Sequence, residues 1–181
     1  MMSYIPFHIR FFQCINRYYY TKLAFPHLVN AGKYMANIVV LFIAYFKNEY
    51  HKYEQFYFYF YIFATLYSYT WDIIMDWGLL RGTQSGKRLL RDRLKYPPWL
   101  YYYSMITNLI LRFAWMLNFV PDSYFSEFFK QMGGLFFFLS IAEGYRRAQW
   151  SLFRVENENV NNFEKYRVIL EIPKFVDSDL D

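Results

Sequence analysis

Long apolar runs separated by short charged connections organise this chain. Four windows, at about 27–47 ("HLVNAGKYMANIVVLFIAYFK"), 56–80 ("FYFYFYIFATLYSYTWDIIMDWGLL"), 101–120 ("YYYSMITNLILRFAWMLNFV") and 128–150, reach the roughly 20 residues with which a helix crosses a hydrocarbon core. The "FYFYFY" stretch alternates like a strand, but phenylalanine and tyrosine both have apolar bodies and the run continues unbroken, so this window reads as helix. Ahead of the windows, aromatics interleave with Arg10, Arg17 and Lys22, a pattern suited to a helix lying in a membrane interface. The pattern therefore predicts an all-α, polytopic transmembrane helical bundle with about four spans. Its parts are an interfacial segment over 1–26, a transmembrane core over 27–155 and a polar, acid-ended cytoplasmic tail over 156–181.

The connections give an orientation. Arg81, Lys87, Arg88, Arg91, Arg93 and Lys95 lie between the second and third windows, whereas "PDSYFSE" between the third and fourth holds no Lys or Arg. By the positive-inside rule the first connection faces the cytoplasm, and so do both termini, which also carry basic residues.

Composition sharpens the picture. Of the 181 residues 56% are hydrophobic, including 20 Tyr and 21 Phe, so the near-zero mean hydropathy averages apolar runs against charged connections. The net charge of +5 is spread between the runs rather than gathered in one arm, which gives no reason to expect a nucleic-acid partner. A single cysteine, Cys14, excludes an internal disulfide framework, and His8, His27 and His51 have no metal-ligand spacing; neither metal nor cofactor is expected. No signal-peptide pattern opens the sequence. "GTQSGKR" imitates a phosphate loop, but it has three residues between its glycines and an Arg88 where Ser or Thr should bind magnesium, so it reads as a turn.

Every window carries ionisable residues: Lys33 in the first, Asp72 and Asp76 in the second, Arg112 in the third, and Glu143, Arg146 and Arg147 in the fourth. Each would cost about 2.5–3.5 kcal/mol at a helix centre, or on the order of 20 kcal/mol for the unpaired set. At about 1.5 Å per residue, Lys33 and Asp72 both lie roughly 6 Å to the cytoplasmic side of their windows' midpoints, and Arg112 lies close to the midplane. Helical spacing groups Asp72 with Asp76, Glu143 with Arg146 and Arg147, and Arg112 with Trp115. Converging faces would enclose a charged cleft with a small cationic surplus, open to the cytoplasm. Snorkelling of Lys33 and Arg147 to the interface, and charge pairing without a ligand, are the competing readings.

A cationic cleft suits an anion, because arginine offers a planar fork of donors to phosphate or carboxylate oxygens and lysine adds a compact charge. The acids would orient the cations and keep the anion from binding too tightly to leave. Trp115 would close the path by its bulk, or else is a packing or interface residue. The Tyr101, Tyr102 and Tyr103 run reads as part of an interfacial belt.

The stretches "RFFQCINRYYYTKLAFPHLVNAGKY", "WDIIMDWGLL", "YYYSMITNLILRFAW" and "EGYRRAQWSLFRVENENVNN" resemble, in order, the motifs of the EXS domain family. That family includes a retrovirus receptor, yeast and plant phosphate exporters and a Golgi phosphate-recycling protein. The resemblance implies a polytopic helical protein that moves inorganic phosphate outward across the plasma membrane or a Golgi membrane. It places the phosphate-contacting positions on Lys33, Tyr34, Asp72, Asp76, Arg112, Arg146 and Arg147, with Trp115 matching a gating tryptophan. The motifs present correspond to the C-terminal part of an EXS domain, without the family's SPX domain or earlier spans.

Two function classes follow. The first is channel-like phosphate export through the cleft, with inorganic phosphate and the lipid membrane as partners. The second is an assembly or interaction subunit without transport of its own, packed in a homodimer or against a full-length EXS relative. An enzyme is not expected, since Asp72 and Glu143 are accompanied by no nucleophile and base pair, metal motif or cofactor box.

Overall fold

The computed structural model describes residues 5–49, 53–80, 89–91, 94–119 and 134–170. Among them every regular element is a helix: α1 (Ile5–Thr21), α2 (Ala24–Glu49), α3 (Glu54–Trp71), a π-helical turn (Asp72–Asp76), α4 (Pro98–Arg112), a 3-10 segment (Ala114–Phe119) and α5 (Gly134–Leu170). The all-α class expected from the periodicity is observed. Arg81, Lys87, Arg88 and Arg93 of the basic connection, the "GTQSGKR" turn, "PDSYFSE" and the start of the fourth window lie outside the described residues.

Local chemistry sets the helix ends. Phe25 precedes a proline and is extended (φ −95°, ψ 132°), so regular helix in α2 starts at Pro26. At α4, Pro97 is extended and Pro98 occupies the first turn, where its missing N–H costs nothing.

Where the pattern suggests unbroken helix over 56–80 and 101–120, the chain departs from it twice. Helix α3 gives way after Trp71 to the π turn, and α4 stops at Arg112 because Phe113 sits at φ −90°, ψ 0°. Neither break carries a proline, so the hydropathy pattern does not announce it. The fourth window behaves in the opposite way. Helix α5 continues past position 150 for 37 residues in all, through a stretch free of Gly and Pro in which Arg154 and Glu158 form an i,i+4 pair at 2.9 Å.

Among the described residues one helix, over Ala24–Phe46, is long and apolar enough to cross a membrane by length and composition. The tyrosines of α3 and the charges of α5 lower the apolarity of those helices.

Helix α1 packs on α2, α2 on α3, and α4 on α5, while the π turn and the end of α3 meet α4 and α5. Tyr67 Oη donates to the Val29 carbonyl at 2.6 Å, and Gly32 leaves room for that ring: a Cβ there would lie 2.9 Å from Tyr67 Oη. The buried core gathers below the π turn, where Ile73, Trp77, Leu79, Leu90, Tyr101 and Phe153 enclose one another. Phe153 lies between the rings of Trp77 and Tyr101, with centroids at 5.0 and 5.1 Å. Tyr101 is therefore not a belt residue: it is 1% exposed, and its hydroxyl donates to buried Glu156. Tyr102 and Tyr103 remain exposed.

Candidate functional site: a charged cavity between α1, α2, α3, α4 and α5

A cavity of 1140 Å³ opens between the helices, and it collects every ionisable residue singled out in the apolar windows. Among the described residues its walls hold seven basic side chains (Arg10, Arg17, Lys33, Arg112, Arg146, Arg147, Arg154) and four acidic ones (Asp72, Asp76, Glu143, Glu158), a surplus of three positive charges.

Asp72 is the central carboxylate. It opens the π turn, is 3% exposed, and receives Arg112 Nη2 from the last turn of α4. Arg146 Nη1 of α5 lies 3.8 Å from the same Oδ2. Asn108, fully buried one turn before Arg112, bridges the two: its Nδ2 donates to Asp72 Oδ2 at 3.4 Å and its Oδ1 accepts from Arg146 at 3.5 Å. A buried carboxylate left alone would be costly, and two donors from α4 with the nearby guanidinium of Arg146 on α5 offset that cost here.

Glu143 organises its own helix. Arg146 grips it with both edges of the guanidinium, Nε to Oε2 and Nη2 to Oε1, each at 2.7 Å, and Arg147 Nε adds a third bond at 2.7 Å. The spacing i, i+3, i+4 makes this possible. Arg147 has its side chain 73% exposed, so its charge lies at the cavity mouth.

The two aspartates are four residues apart, yet they serve different partners. Asp76 accepts Arg154 Nη1 at 2.6 Å and Trp150 Nε1 at 3.1 Å, both from α5 and one turn apart. The π turn produces the separation. Its widened bonds, Trp77 N–H to the Asp72 carbonyl at 2.8 Å and Leu79 N–H to that of Ile73 at 2.9 Å, direct the end of the helix toward α5 rather than α4.

Lys33 differs from the arginines. No carboxylate lies within salt-bridge distance of its ammonium among the described residues; it sits instead over the rings of Tyr34 at 4.8 Å and Trp71 at 5.0 Å. Tyr34 thus enters the cavity as the ring beneath Lys33.

Trp115 also lines the cavity, but it does not continue the α4 face that carries Arg112, because the break at Phe113 intervenes. It lies flat on Tyr61 of α3, centroids 4.0 Å apart and planes within 8°, with Phe58 and Phe119 edge-on to it.

Sequence reasoning missed five participants. Asn108 and Trp150 carry no charge and so leave no mark in an apolar run. Arg154 lies beyond the fourth window, and Arg10 and Arg17 read as part of an interfacial face; the spacing of Arg10, Gln13, Cys14 and Arg17 along one side of α1 is the signal that places them on a wall.

Comparison with known proteins places the chain in a family. The EXS family model matches residues 1–160. The chain is 39% identical over 178 residues to the xenotropic and polytropic retrovirus receptor 1 homolog of Xenopus laevis, and 38% identical over 178 residues to human solute carrier family 53 member 1. The Danio rerio receptor homolog is 38% identical over 177 residues. Each alignment covers 93% of this chain and 25% of the relative, so the chain spans about a quarter of the length of these proteins. With an alignment over nearly its whole length and its cavity-lining motifs inside the matched region, the chain belongs to the EXS family.

Proposed function

We propose that the chain forms part of a membrane path for inorganic phosphate, standing across the bilayer as four helical spans with its charged cavity open to the cytoplasm and both termini on that side. The relatives that bear a solute-carrier name support transport rather than catalysis, and the resemblance of its motifs to phosphate exporters supports phosphate as the solute.

One observation carries the anion reading. Lys33 sits against aromatic faces and, among the described residues, makes no salt bridge to a carboxylate, while Arg112, Arg146 and Arg154 are each committed to an acid. An ammonium in salt-bridge contact with no carboxylate among the described residues, in a cavity of positive surplus, favours an entering anion, and the neighbouring guanidinium forks suit its oxygens. Asp72, Asp76 and Glu143 hold the forks in place and moderate the attraction, so that the ion leaves again. Trp115, flat on Tyr61 at one end of the cavity, is the barrier the ion has to pass.

Reconstitution tests this directly. Phosphate-loaded liposomes containing the folded chain should release phosphate, and an Arg112→Ala variant should not. Folded protein that gives no efflux overturns autonomous transport. A second reading, an assembly subunit without its own flux, draws on the apolar faces of α3 and α5, where Phe63, Leu66, Phe136 and Ile141 are exposed and fit another helix as well as lipid. Efflux that returns only when a longer EXS relative is co-reconstituted, together with co-purification of the two, would establish it.

A further inference from the structure

The end of the π turn is a buried helix terminus, and buried helix termini need partners for their last carbonyls. In an uninterrupted helix the carbonyls of Met75, Asp76 and Trp77 would accept from N–H groups one turn on. Here Leu79 N–H is taken by Ile73 and Leu80 N–H by the Leu89 carbonyl at 3.0 Å. Two side chains from elsewhere fill the gap. Asn157 of α5 donates through Nδ2 to the Asp76 carbonyl at 3.0 Å and reaches that of Met75 at 3.4 Å. Arg91 donates through Nη1 to the Trp77 carbonyl at 3.1 Å and to Asn157 Oδ1 at 3.0 Å.

Arg91 is itself anchored, through Nη2, on Glu156 Oε1 at 2.6 Å, and the same oxygen accepts from Lys95 N–H at 2.9 Å. Gly78 closes the arrangement. It turns at φ +65°, and a Cβ on it would lie 2.4 Å from Asn157 Oδ1. Asn157 stands one turn beyond Arg154 and two beyond Trp150, so a single face of α5 holds both the carboxylate of Asp76 and its backbone.

We propose that Asn157 and Arg91 are positioning residues for the anion path: they fix the π turn from behind, and thereby the aim of Asp72 and Asp76, without touching the ion. This rests on the phosphate reading of the cavity. It adds that the path's geometry is set outside the cavity, by two residues absent from its walls. Asn157 acts through the turn, and Arg91 acts by tying it to the segment that leads into α4.

The test joins amide exchange with a double-mutant cycle in the full chain. In Asn157→Ala the Trp77 and Leu79 amides should exchange at least about tenfold faster, while amides in the middle of α2 are unchanged. Affinity for inorganic phosphate, measured by calorimetry, should fall about tenfold, and adding Asn157→Ala to Asp76→Asn should cost nothing further, as expected of residues that act as a unit. Losses that multiply in the double variant, or exchange that is unchanged at Trp77 and Leu79, would overturn the proposal. Should Asn157→Ala not fold, Arg91→Lys keeps the charge facing Glu156 but loses the fork, and the same two readouts are expected with smaller amplitude. A wild-type chain that binds no phosphate would overturn the phosphate reading itself, and the exchange measurement then decides the hold on the turn by itself.

Discussion

Arg112 and Asp72 meet across two helices, 40 residues apart in sequence, with 15% and 5% of their side chains exposed. The pair ties the end of α4 to the start of the π turn. Removing one partner leaves the other's charge buried, whereas removing both leaves none. Arg112→Met should therefore destabilise the chain by about 3–5 kcal/mol, and combining it with Asp72→Asn should restore much of the loss. Denaturant unfolding of the two single variants and the double variant measures this. Equal losses in the single and double variants would show that the pair is not the linchpin described.

Lys33 should behave in the opposite way. With no carboxylate partner among the described residues, Lys33→Met gives up two ring contacts and leaves no orphaned charge, so stability should change by no more than about 1–2 kcal/mol. Phosphate affinity should nevertheless fall about tenfold or more. Thermal melting and calorimetric titration of the same sample separate the two effects, and unchanged affinity would remove Lys33 from the path.

Gly78→Ala combines two costs. A left-handed backbone penalises an alanine by about 1–2 kcal/mol, and the new methyl also displaces the Asn157 side chain. The variant should melt earlier than wild type and expose the Trp77 amide to exchange. A wild-type melting curve would contradict the close approach.

Trp115 lies flat on Tyr61 in the cavity wall, and the proposed path makes that stack its barrier. Trp115→Ala should raise phosphate efflux from liposomes, and Tyr61→Ala should do so more weakly, since the stack contributes about 0.5–1.5 kcal/mol beyond its area. Efflux that falls in both would make the tryptophan a packing residue.

Cys14 is the chain's single thiol; it is buried and faces the cavity. Burial pushes its pKa up, with Lys33 and Arg17 opposing the shift, so less thiolate is present at neutral pH than for an exposed cysteine. Maleimide labelling should be slow at pH 7, should continue to accelerate above about pH 8.5 where a free thiol levels off, and should slow again when phosphate fills the cavity. Labelling indifferent to phosphate would place the ion elsewhere.

The cavity's charges were legible because each interrupts an apolar run at a depth where ionisable groups are expensive. Asp72, Arg112, Glu143 and Arg146 stood out on that ground before any geometry was known. The pairing of Glu143 with Arg146 and Arg147 also follows from their spacing, but the partners of the two aspartates were not legible. Register alone assigns Asp72 and Asp76 to one face, yet Asp72 meets Arg112 of α4 as well as Arg146 of α5, while Asp76 is held by Arg154 and Trp150 of α5. The π turn has no marker in "WDIIMDW", and the side chains that meet the carbonyls at its end, Asn157 and Arg91, lie in distant and polar stretches. Likewise, nothing in "LILRFAWM" announces that Phe113 ends the helix. Tyr101 illustrates a related limit: three consecutive tyrosines look alike in sequence, and one is core while two are surface.

Helix α5 has 37 residues, which at about 1.5 Å each makes a rod roughly 55 Å long, well beyond the thickness of a bilayer's hydrocarbon core. Glu143 and Arg146 lie along its first half and Arg154 and Asn157 beyond its midpoint, so one stiff body grips both ends of the π turn. The partners of Asp72 and of Asp76 thus ride on one continuous helix, and a shift of α5 along its axis would displace both sets of contacts together.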